Sequence, residues 1–208
     1  EISECLVGSE MCIRDSLTTE LIDMDYRMVI ALNMFDELEQ SGGKIDYKHL
    51  GNMIGVPIVP TVSRSGKGVN QLFDTIIEVY EGRDESVRHV HVGLGKVIEN
   101  SITPLKDLLK KDPTCNREFS PRYLAIKILE GDTEVKRMLE GSESYTELMN
   151  IRNAEVEKIE TTLNEDIESA IANEKYGFIS GALAETYRPG DKEEAKTTRI
   201  IAVSYTHL

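Results

Sequence analysis

The fold class is decided by the stretch R-M-V-I-A-L-N-M-F-D, which occupies residues 27–36. Its apolar run, Met28 to Leu32, is typical of a strand that is buried on both faces of a parallel sheet. The run ends abruptly at Asn33, and Asp36 follows three residues later. Because open α/β sheets bind ligands just beyond the carboxyl ends of their strands, we expect Asn33 and Asp36 to lie at a binding site.

An Asn and an Asp at this spacing suit the recognition of guanine. Guanine presents two adjacent donors on one edge, a ring N–H and an exocyclic amine, and one carboxylate accepts from both in a charge-assisted contact. Adenine presents an acceptor at the same place and is repelled. Each hydrogen bond to a charged group is worth about 1.5–3 kcal/mol, so the carboxylate discriminates strongly between the two bases. The tetrapeptide N-x-x-D alone is weak evidence, and the strand before it and a loop after it strengthen the prediction.

The residues after Asp36 predict the rest of a parallel α/β unit. We expect a helix from the N-cap Asp46 to the stop at Gly55, followed by a second buried strand at residues 56–60. A polar loop at residues 61–68 then leads into an amphipathic helix. The apolar residues of this helix recur at helical spacing: Val69, Leu72, Phe73, Ile76, Ile77 and Tyr80. Strands and helices that alternate with short links predict a parallel sheet.

The loop at residues 61–68 contains Gly66-Lys67-Gly68, but it does not match a phosphate-binding P-loop. The P-loop pattern G-x-x-x-x-G-K-[ST] would require Gly at Thr61 and Ser or Thr at Gly68. We interpret the loop instead as a second guanine-contacting turn, in which a backbone N–H near Ser63 donates to the guanine carbonyl oxygen. A plain connection between strand and helix is the alternative.

These segments resemble the G domain of the bacterial ferrous iron transport protein B. The resemblance rests on residues 31–36, on Leu50-Gly51 with residues 55–61, and on residues 66–68. It implies that Asn33, Met34 and Asp36 bind guanine, with Met34 where small GTPases have Lys. It assigns the last nucleotide loop to Val62, Ser63 and Arg64. The implied ligand is GTP or GDP, and the implied phosphate-binding loop, switch regions and Mg²⁺ ligands would precede Leu17.

The resemblance also implies the fold class. Residues 17–82 would form the C-terminal half of a P-loop GTPase-type parallel sheet domain, followed by a connector at residues 83–95 and an all-α helical domain at residues 96–201. In the family, the helical domain influences nucleotide release and joins a membrane permease domain of the same chain, at the cytoplasmic face of the bacterial inner membrane. Thr197 to Ile201 resembles the approach to the first membrane helix. A homo-oligomer of the full-length parent is left open. The parent would hydrolyse GTP, whereas this chain, with no catalytic residue assigned, is expected not to.

The helical half shows several local patterns. Pro104 is expected to interrupt its first helix, which stops near Asp112-Pro113. Ser120-Pro121 predicts a capped start and Gly131 the end of the next helix, and Asp132 caps a short one. Ser144 to Glu147 matches a capping box that opens the longest helix, whose apolar stripe continues to Ala170. Tyr176 to Tyr187 predicts another helix, with Gly177 and Gly181 on a close-packing face. The acidic residues of the long helix are predicted to be a solvated face: Glu155, Glu157, Glu160, Glu165, Asp166 and Glu168.

Composition excludes several classes of function. The 208-residue chain has a net charge of −13, which disfavours nucleic-acid binding, since phosphate neutralisation needs clustered Lys and Arg. No apolar run approaches the length of a membrane span. His89 and His91 alternate as on one face of a strand, but two His without a third ligand predict packing or surface roles rather than a metal site. Without the two ends discussed next, Cys115 is the one cysteine, which suits a reducing compartment.

The two ends of the sequence are predicted to be sequencing-adapter translations rather than protein. Met11 to Ser16 back-translates to ATG TGT ATA AGA GAC AG, and Val203 to Leu208 to GTC TCT TAT ACA CAT CT. The two strings overlap as reverse complements and resemble a transposase end. We therefore exclude residues 1–16 and 202–208 from the fold prediction.

Two other functions stay open at the level of sequence. One is a ribosome-assembly or tRNA-modifying GTPase, which would need a basic RNA-binding appendage and is opposed by the acidity. The other is a non-catalytic helical interaction module, for which the α/β half is only a support. Guanine selectivity in the full-length parent distinguishes the preferred function from the second rival.

Overall fold

The computed structural model describes residues 17–112 and 119–190. The predictions for residues 1–16, Pro113, Cys115 and 191–208 lie outside these ranges. The chain divides into two compact units. Among the described residues, the first unit comprises 26–91 and 179–190, and the second comprises 17–25, 92–112 and 119–178. Residues 17–25, which we predicted as part of the G domain, thus pack with the helical residues, and the end of the last helix packs with the α/β residues. The predicted domain boundaries stay a prediction.

The first unit is the predicted α/β unit. Strand β1 (Ile30–Leu32) pairs in parallel with β3 (Ile58–Pro60), with Ile30 opposite Ile58 and Leu32 opposite Pro60. Between them lie three elements, α2 (Phe35–Ser41), β2 (Lys44–Ile45) and α3 (Tyr47–Ile54), and α4 (Val69–Tyr80) follows β3. The short β2 pairs antiparallel with β4 (Tyr187–Arg188), which follows the last helix. The β2–β4 ladder was not predicted, and β4 corrects the expectation that residues 96–201 are all-α.

Local chemistry explains the ends of α3. The Asp46 carboxylate accepts the N–H of His49 at 3.0 Å, which confirms the predicted N-cap. Gly55 ends the helix in the left-handed conformation, φ 71°, as predicted. A side chain at Gly51 would collide with Val56 O, so this glycine lets the helix approach the chain that leads into β3.

One prediction of burial in this unit is wrong, and the apolar face of one predicted helix lies exposed. Strand β1 is not buried on both faces, because Ile30 and Leu32 are half-buried and Ala31 is exposed. Helix α4 forms where predicted, but Phe73, Ile76, Ile77 and Tyr80 on its apolar face are exposed. The reason is geometric: within the described ranges β1 and β3 have only each other as strand partners, and a two-stranded sheet is too narrow to cover the whole apolar face of a helix.

The second unit is helical, and its core is well covered. It contains α1 (residues 17–23), α5 (Gly95–Lys111), α6 (Pro121–Glu130), α7 (Thr133–Leu139), α8 (Tyr145–Leu163) and residues 167–178 of α9 (Ile167–Thr186). Side chains with at most 2% exposure fill its centre: Leu94, Ile98, Ile102, Leu105, Leu109, Leu124, Ile126, Ile128, Leu129, Leu139, Leu148 and Ile159. Helices α6 and α7 begin at the predicted caps Ser120 and Asp132, and α6 ends at Gly131.

Three predictions for the helical unit are wrong. Pro104 lies inside a continuous α5 instead of interrupting it. The predicted capping box is absent, because the Ser144 side chain makes no capping hydrogen bond. The long helix does not run on to Ala170: Asn164 adopts the left-handed conformation, φ 56°, and α9 starts anew at Ile167.

The predicted close-packing face of Gly177 and Gly181 is also not found. Both glycines are exposed, and a Cβ added at either position would meet no atom within 4 Å. The connector around His89 and His91 forms no strand, although the two rings contact each other edge to face at 4.4 Å between centroids. No helix in the described parts of the chain is both long and apolar enough to cross a membrane.

Candidate nucleotide site

The carboxyl ends of β1 and β3 place the two predicted loops side by side. Because the strands are parallel and Leu32 lies opposite Pro60, Asn33 and Thr61 leave the sheet at the same edge. Two backbone hydrogen bonds continue the pairing beyond the strands. The Thr61 N–H donates to Leu32 O at 2.8 Å, and the Phe35 N–H donates to Thr61 O at 3.2 Å.

Asn33 joins the two loops through its side chain. Its Oδ1 accepts the Ser63 N–H at 3.0 Å and the Ser63 hydroxyl at 2.8 Å, and the Thr61 hydroxyl lies 3.4 Å away. One side-chain oxygen therefore fixes a loop that lies 30 residues further along the chain. The sequence placed both residues at the site but gave no indication of this contact. It also missed Thr61, which is buried at 3% exposure.

Met34 turns the chain from the strand into α2. It adopts the left-handed conformation, φ 58°, which is uncommon for a residue with a side chain. This turn makes Met34 the residue before α2, and Asp36 falls in the first helical turn. Carboxylates are favoured there by the helix dipole. The ring of Phe35 contacts Tyr47 of α3 edge to face, with 5.9 Å between centroids.

Asp36 forms an ion pair across the site. Its Oδ2 accepts from Nη2 of Arg64 at 3.2 Å; the Asp36 side chain is 24% exposed and that of Arg64 is 83% exposed. The structure thus brings together Asn33, Asp36, Ser63 and Arg64. Exposed ion pairs are worth about 0–1 kcal/mol, so a ligand with matching donors displaces the guanidinium at little cost.

The second loop is a tight turn built on Val62. Val62 is buried, its N–H donates to Lys67 O at 2.9 Å, and its carbonyl accepts the amides of Ser65 and Gly66. Gly68, at φ 82°, ends the turn and precedes α4. A Cβ there would lie against Pro60 O, so the loop requires glycine at this position.

The site offers acceptors for a base edge and backbone amides, and its described residues include no metal cage. No group of three or more His, Cys, Asp or Glu side chains in residues 17–112 and 119–190 could hold a metal ion. The Asp36 carboxylate has the chemistry to accept from a ligand edge that presents adjacent N–H donors.

Comparison with known proteins places both halves of the chain in the same family. Residues 10–76 match the model described as ferrous iron transport protein B, and residues 95–188 match the FeoB cytosolic helical domain. The chain is 38% identical over 193 residues to the Fe(2+) transport protein A/Fe(2+) transporter FeoB fusion protein of Porphyromonas gingivalis, covering 92% of this chain and 23% of that protein. It is 29% identical over 143 residues to the Fe(2+) transporter FeoB of Staphylococcus aureus, covering 69% and 21%.

Solved structures agree. A variant of NFeoB from S. thermophilus bound to GDP superposes with a TM-score of 0.69 at 28% identity, covering 83% of this chain and 63% of that one. A second variant bound to GMPPNP gives a TM-score of 0.69, covering 80% and 62%. The P-loop GTPase-type sheet and the helical domain expected from the sequence are both present in these relatives. The chain therefore belongs to the FeoB family and contains part of its cytosolic G domain together with its helical domain.

Proposed function

We propose that this chain recognises the base of GTP and GDP within the cytosolic region of a ferrous iron transporter. Asp36 accepts the two donors of the guanine edge, and Asn33 holds the partner loop in place. Met34 sets the turn between them, and Val62, Ser63 and Arg64 form the last nucleotide loop. The observation that supports this most strongly is the Asn33 oxygen, which accepts both Ser63 donors and so holds the second loop beside Asp36.

Most backbone N–H groups of the last nucleotide loop already donate within the protein, which leaves few donors for the guanine carbonyl. The Ser63 N–H is bonded to Asn33, and the amides of Ser65 and Gly66 donate to Val62 O. We assign the role to the backbone N–H of Arg64, whose side chain leaves Asp36 when the base arrives. The residues present therefore fit a guanine base.

The phosphate chemistry belongs to other residues. The sequence contains no G-x-x-x-x-G-K-[ST] pattern, and the resemblance places the phosphate-binding loop, the switch regions and the Mg²⁺ ligands before Leu17. Mg²⁺ neutralises phosphate charge during hydrolysis, and the resemblance implies that those segments would hold it. GTP hydrolysis, the link to a membrane permease domain of the same chain at the cytoplasmic face, and any homo-oligomer are proposals for the full-length protein. The matched relatives are much longer than this chain.

The test is whether one substitution at Asp36 changes the preferred base from guanine to xanthine. In a G domain completed with the matching N-terminal part of a solved relative, Asp36→Asn replaces an acceptor by a donor that faces a guanine N–H. The loss is about 2–4 kcal/mol, or roughly 30- to 1000-fold in GDP affinity. Xanthine has a carbonyl where guanine has its amine, so the variant should prefer XDP while the wild type prefers GDP, as measured by calorimetry.

The matched control is Asp46→Asn, because the Asp46 carboxylate caps α3 by accepting the His49 N–H. It should stay close to wild-type stability, because Asn caps helices about as well as Asp, and keep the GDP preference. An unchanged ratio of GDP to XDP affinity in Asp36→Asn would refute base recognition by Asp36.

A further inference from the structure

Helix α2, which holds Asp36, has too little packing to fix its own position. It is seven residues long, and none of its residues is buried. Isolated helices of this length are unstable in water, because nucleation costs more than so few hydrogen bonds return. The position of Asp36 therefore depends on what holds the two ends of α2.

The N-terminal end of α2 is held by contacts within the candidate nucleotide site. Phe35 donates its N–H to Thr61 O and packs against Tyr47, and Asn33 is bonded to Ser63. These contacts lie on the side from which the base is proposed to bind.

The C-terminal end of α2 is held by residues 186–190, which we name the return segment. Gly42 ends α2 in the left-handed conformation, φ 84°, with its N–H directed to Glu39 O and Leu38 O. The backbone of Ser41 and Gly42 is covered by the buried Gly190, at which any Cβ would come closer than 3.0 Å to both residues. The fit is thus specific for glycine.

Main-chain bonds attach the rest of the return segment just beyond α2. Tyr187 and Arg188 pair with Ile45 and Lys44 in the β2–β4 ladder. The Asp46 N–H donates to Thr186 O at 2.7 Å, and Thr186 is itself buried at 3% exposure. The return segment therefore contacts the chain immediately before and after β2.

We propose that the return segment positions the base-recognition helix, so that guanine binding at Asp36 and docking of residues 186–190 onto Ser41–Asp46 favour each other. The proposal rests on the proposed function. Coupling of this kind is reciprocal: if docking raises the affinity for guanine nucleotide by some factor, the nucleotide raises the stability of docking by the same factor. Gly190 is then a positioning residue and makes no contact with the base.

The first experiment compares Gly190→Ala with Gly181→Ala in this chain. Both add one methyl group, but at Gly190 it collides with the α2 turn, whereas at the exposed Gly181 it meets open space. In Gly190→Ala we expect amide exchange of Leu38–Ser41 to accelerate at least about fivefold, the low end of typical coupling. Exchange in α6 of the helical unit should not change. GDP titrated by NMR should bind about fivefold more weakly, with the same preference over XDP. Gly181→Ala lies within α9 and can only stabilise that helix, so exchange of Leu38–Ser41 should not accelerate and GDP affinity should not fall.

The second experiment needs no variant. Saturating GDP should slow amide exchange of Tyr187 and Arg188 in the wild-type chain by a similar factor. GDP binding that leaves these amides unaffected overturns the coupling, as does a folded Gly190→Ala that keeps wild-type exchange in α2 and wild-type affinity. If Gly190→Ala unfolds the α/β unit, this wild-type measurement decides.

Failure of the proposed function can be distinguished from failure of the coupling by whether guanine nucleotide binds at all. If no guanine nucleotide binds to the wild-type chain, the GDP measurements are made in the completed G domain used for the base-preference test, and absence of binding there refutes base recognition and the coupling with it. The positioning of α2 is still decided by the exchange rates of Leu38–Ser41 in the two glycine variants.

Discussion

At the scale of single residues, the two site residues have different structural roles. Asn33 accepts hydrogen bonds from Ser63 and so holds the loop, whereas Asp36 accepts from the exposed guanidinium of Arg64. A substitution at Asn33 is thus expected to disturb the loop, whereas one at Asp36 is proposed to change which base edge is recognised.

The helical unit contains a buried charge that the sequence did not indicate. Asp23 at the end of α1 is 1% exposed, and neither carboxylate oxygen has a hydrogen-bond partner in the described structure. Nε of Arg122 lies 3.6 Å from it, but the Arg122 guanidinium donates to Glu99 and to Val92 O instead. Burial raises the pKa of Asp23 to about 6, and the positive charges of Arg122 and Lys175 only partly oppose this.

This pKa predicts a pH-dependent stability. The pKa rises on folding, so between about pH 4 and pH 6 the folded state keeps the proton while the unfolded state loses it. The free energy of unfolding therefore falls as pH rises through this window, by up to about 3 kcal/mol. Asp23→Asn should remove this fall and be at least as stable as wild type at pH 7.5. Urea unfolding at pH 4.5 and 7.5 measures the difference.

The control for this prediction is Asp25→Asn, two residues further on at an exposed position. It should keep the wild-type pH dependence. Equal pH slopes for wild type and Asp23→Asn would show that Asp23 is not the group responsible.

At the scale of elements, two serines that match a helix-start pattern differ in whether their side chains cap the helix. Ser120 and Ser144 both precede a helix, and both match a start pattern. Only Ser120 acts as a cap: its hydroxyl accepts the Tyr123 N–H at 3.1 Å and donates to Asp23 O at 2.7 Å. Ser144 has helical dihedral angles, φ −84° and ψ −3°, so its side chain is not directed at the helix end.

The two serines provide a matched pair of variants. Ser120→Ala should lower the free energy of unfolding by about 1–2 kcal/mol, because it removes an N-cap and a second hydrogen bond. Ser144→Ala should stay within about 0.5 kcal/mol of wild type. Chemical denaturation followed by the helical circular dichroism signal checks both, and equal losses would contradict the assignment of the caps.

At the scale of the whole molecule, the two units differ in how completely they cover their apolar residues. The helical unit buries its core almost entirely, whereas α4 exposes Phe73 at 59%, Ile77 at 51% and Tyr80 at 83%. The chain spans about a fifth of the length of the FeoB relatives and about three fifths of the solved chains.

This difference predicts that shortening an apolar side chain of α4 changes the free energy of unfolding unusually little. Phe73→Ala should cost less than about 1 kcal/mol, although truncation of a buried Phe costs about 3–5. Leu148→Ala, at a position with 0% exposure, should cost about 2–5 kcal/mol. Thermal and urea unfolding compare the two variants, and a large loss for Phe73→Ala would show that its face is covered in solution.

Features that depend on neighbours along the chain could be predicted from the residues alone. The caps at Asp46, Ser120 and Asp132 and the glycine stops at Gly55 and Gly131 follow from hydrogen bonds within one helical turn, so a local pattern predicts them. Asn33 and Asp36 were likewise identified by their place after an apolar run. The family resemblance followed from these short motifs.

Which surfaces are covered and which distant groups meet became known from the three-dimensional packing. Periodicity shows that one face of α4 is apolar but not that another element covers it, and the two-stranded sheet leaves it exposed. The bonds from Asn33 to Ser63, the approach of Asp23 to Arg122 and the packing of Gly190 on Gly42 join residues about 30 to 150 positions apart. Such pairs are selected by the packing of whole elements, because the energy of each contact exists only after the chain has closed around it.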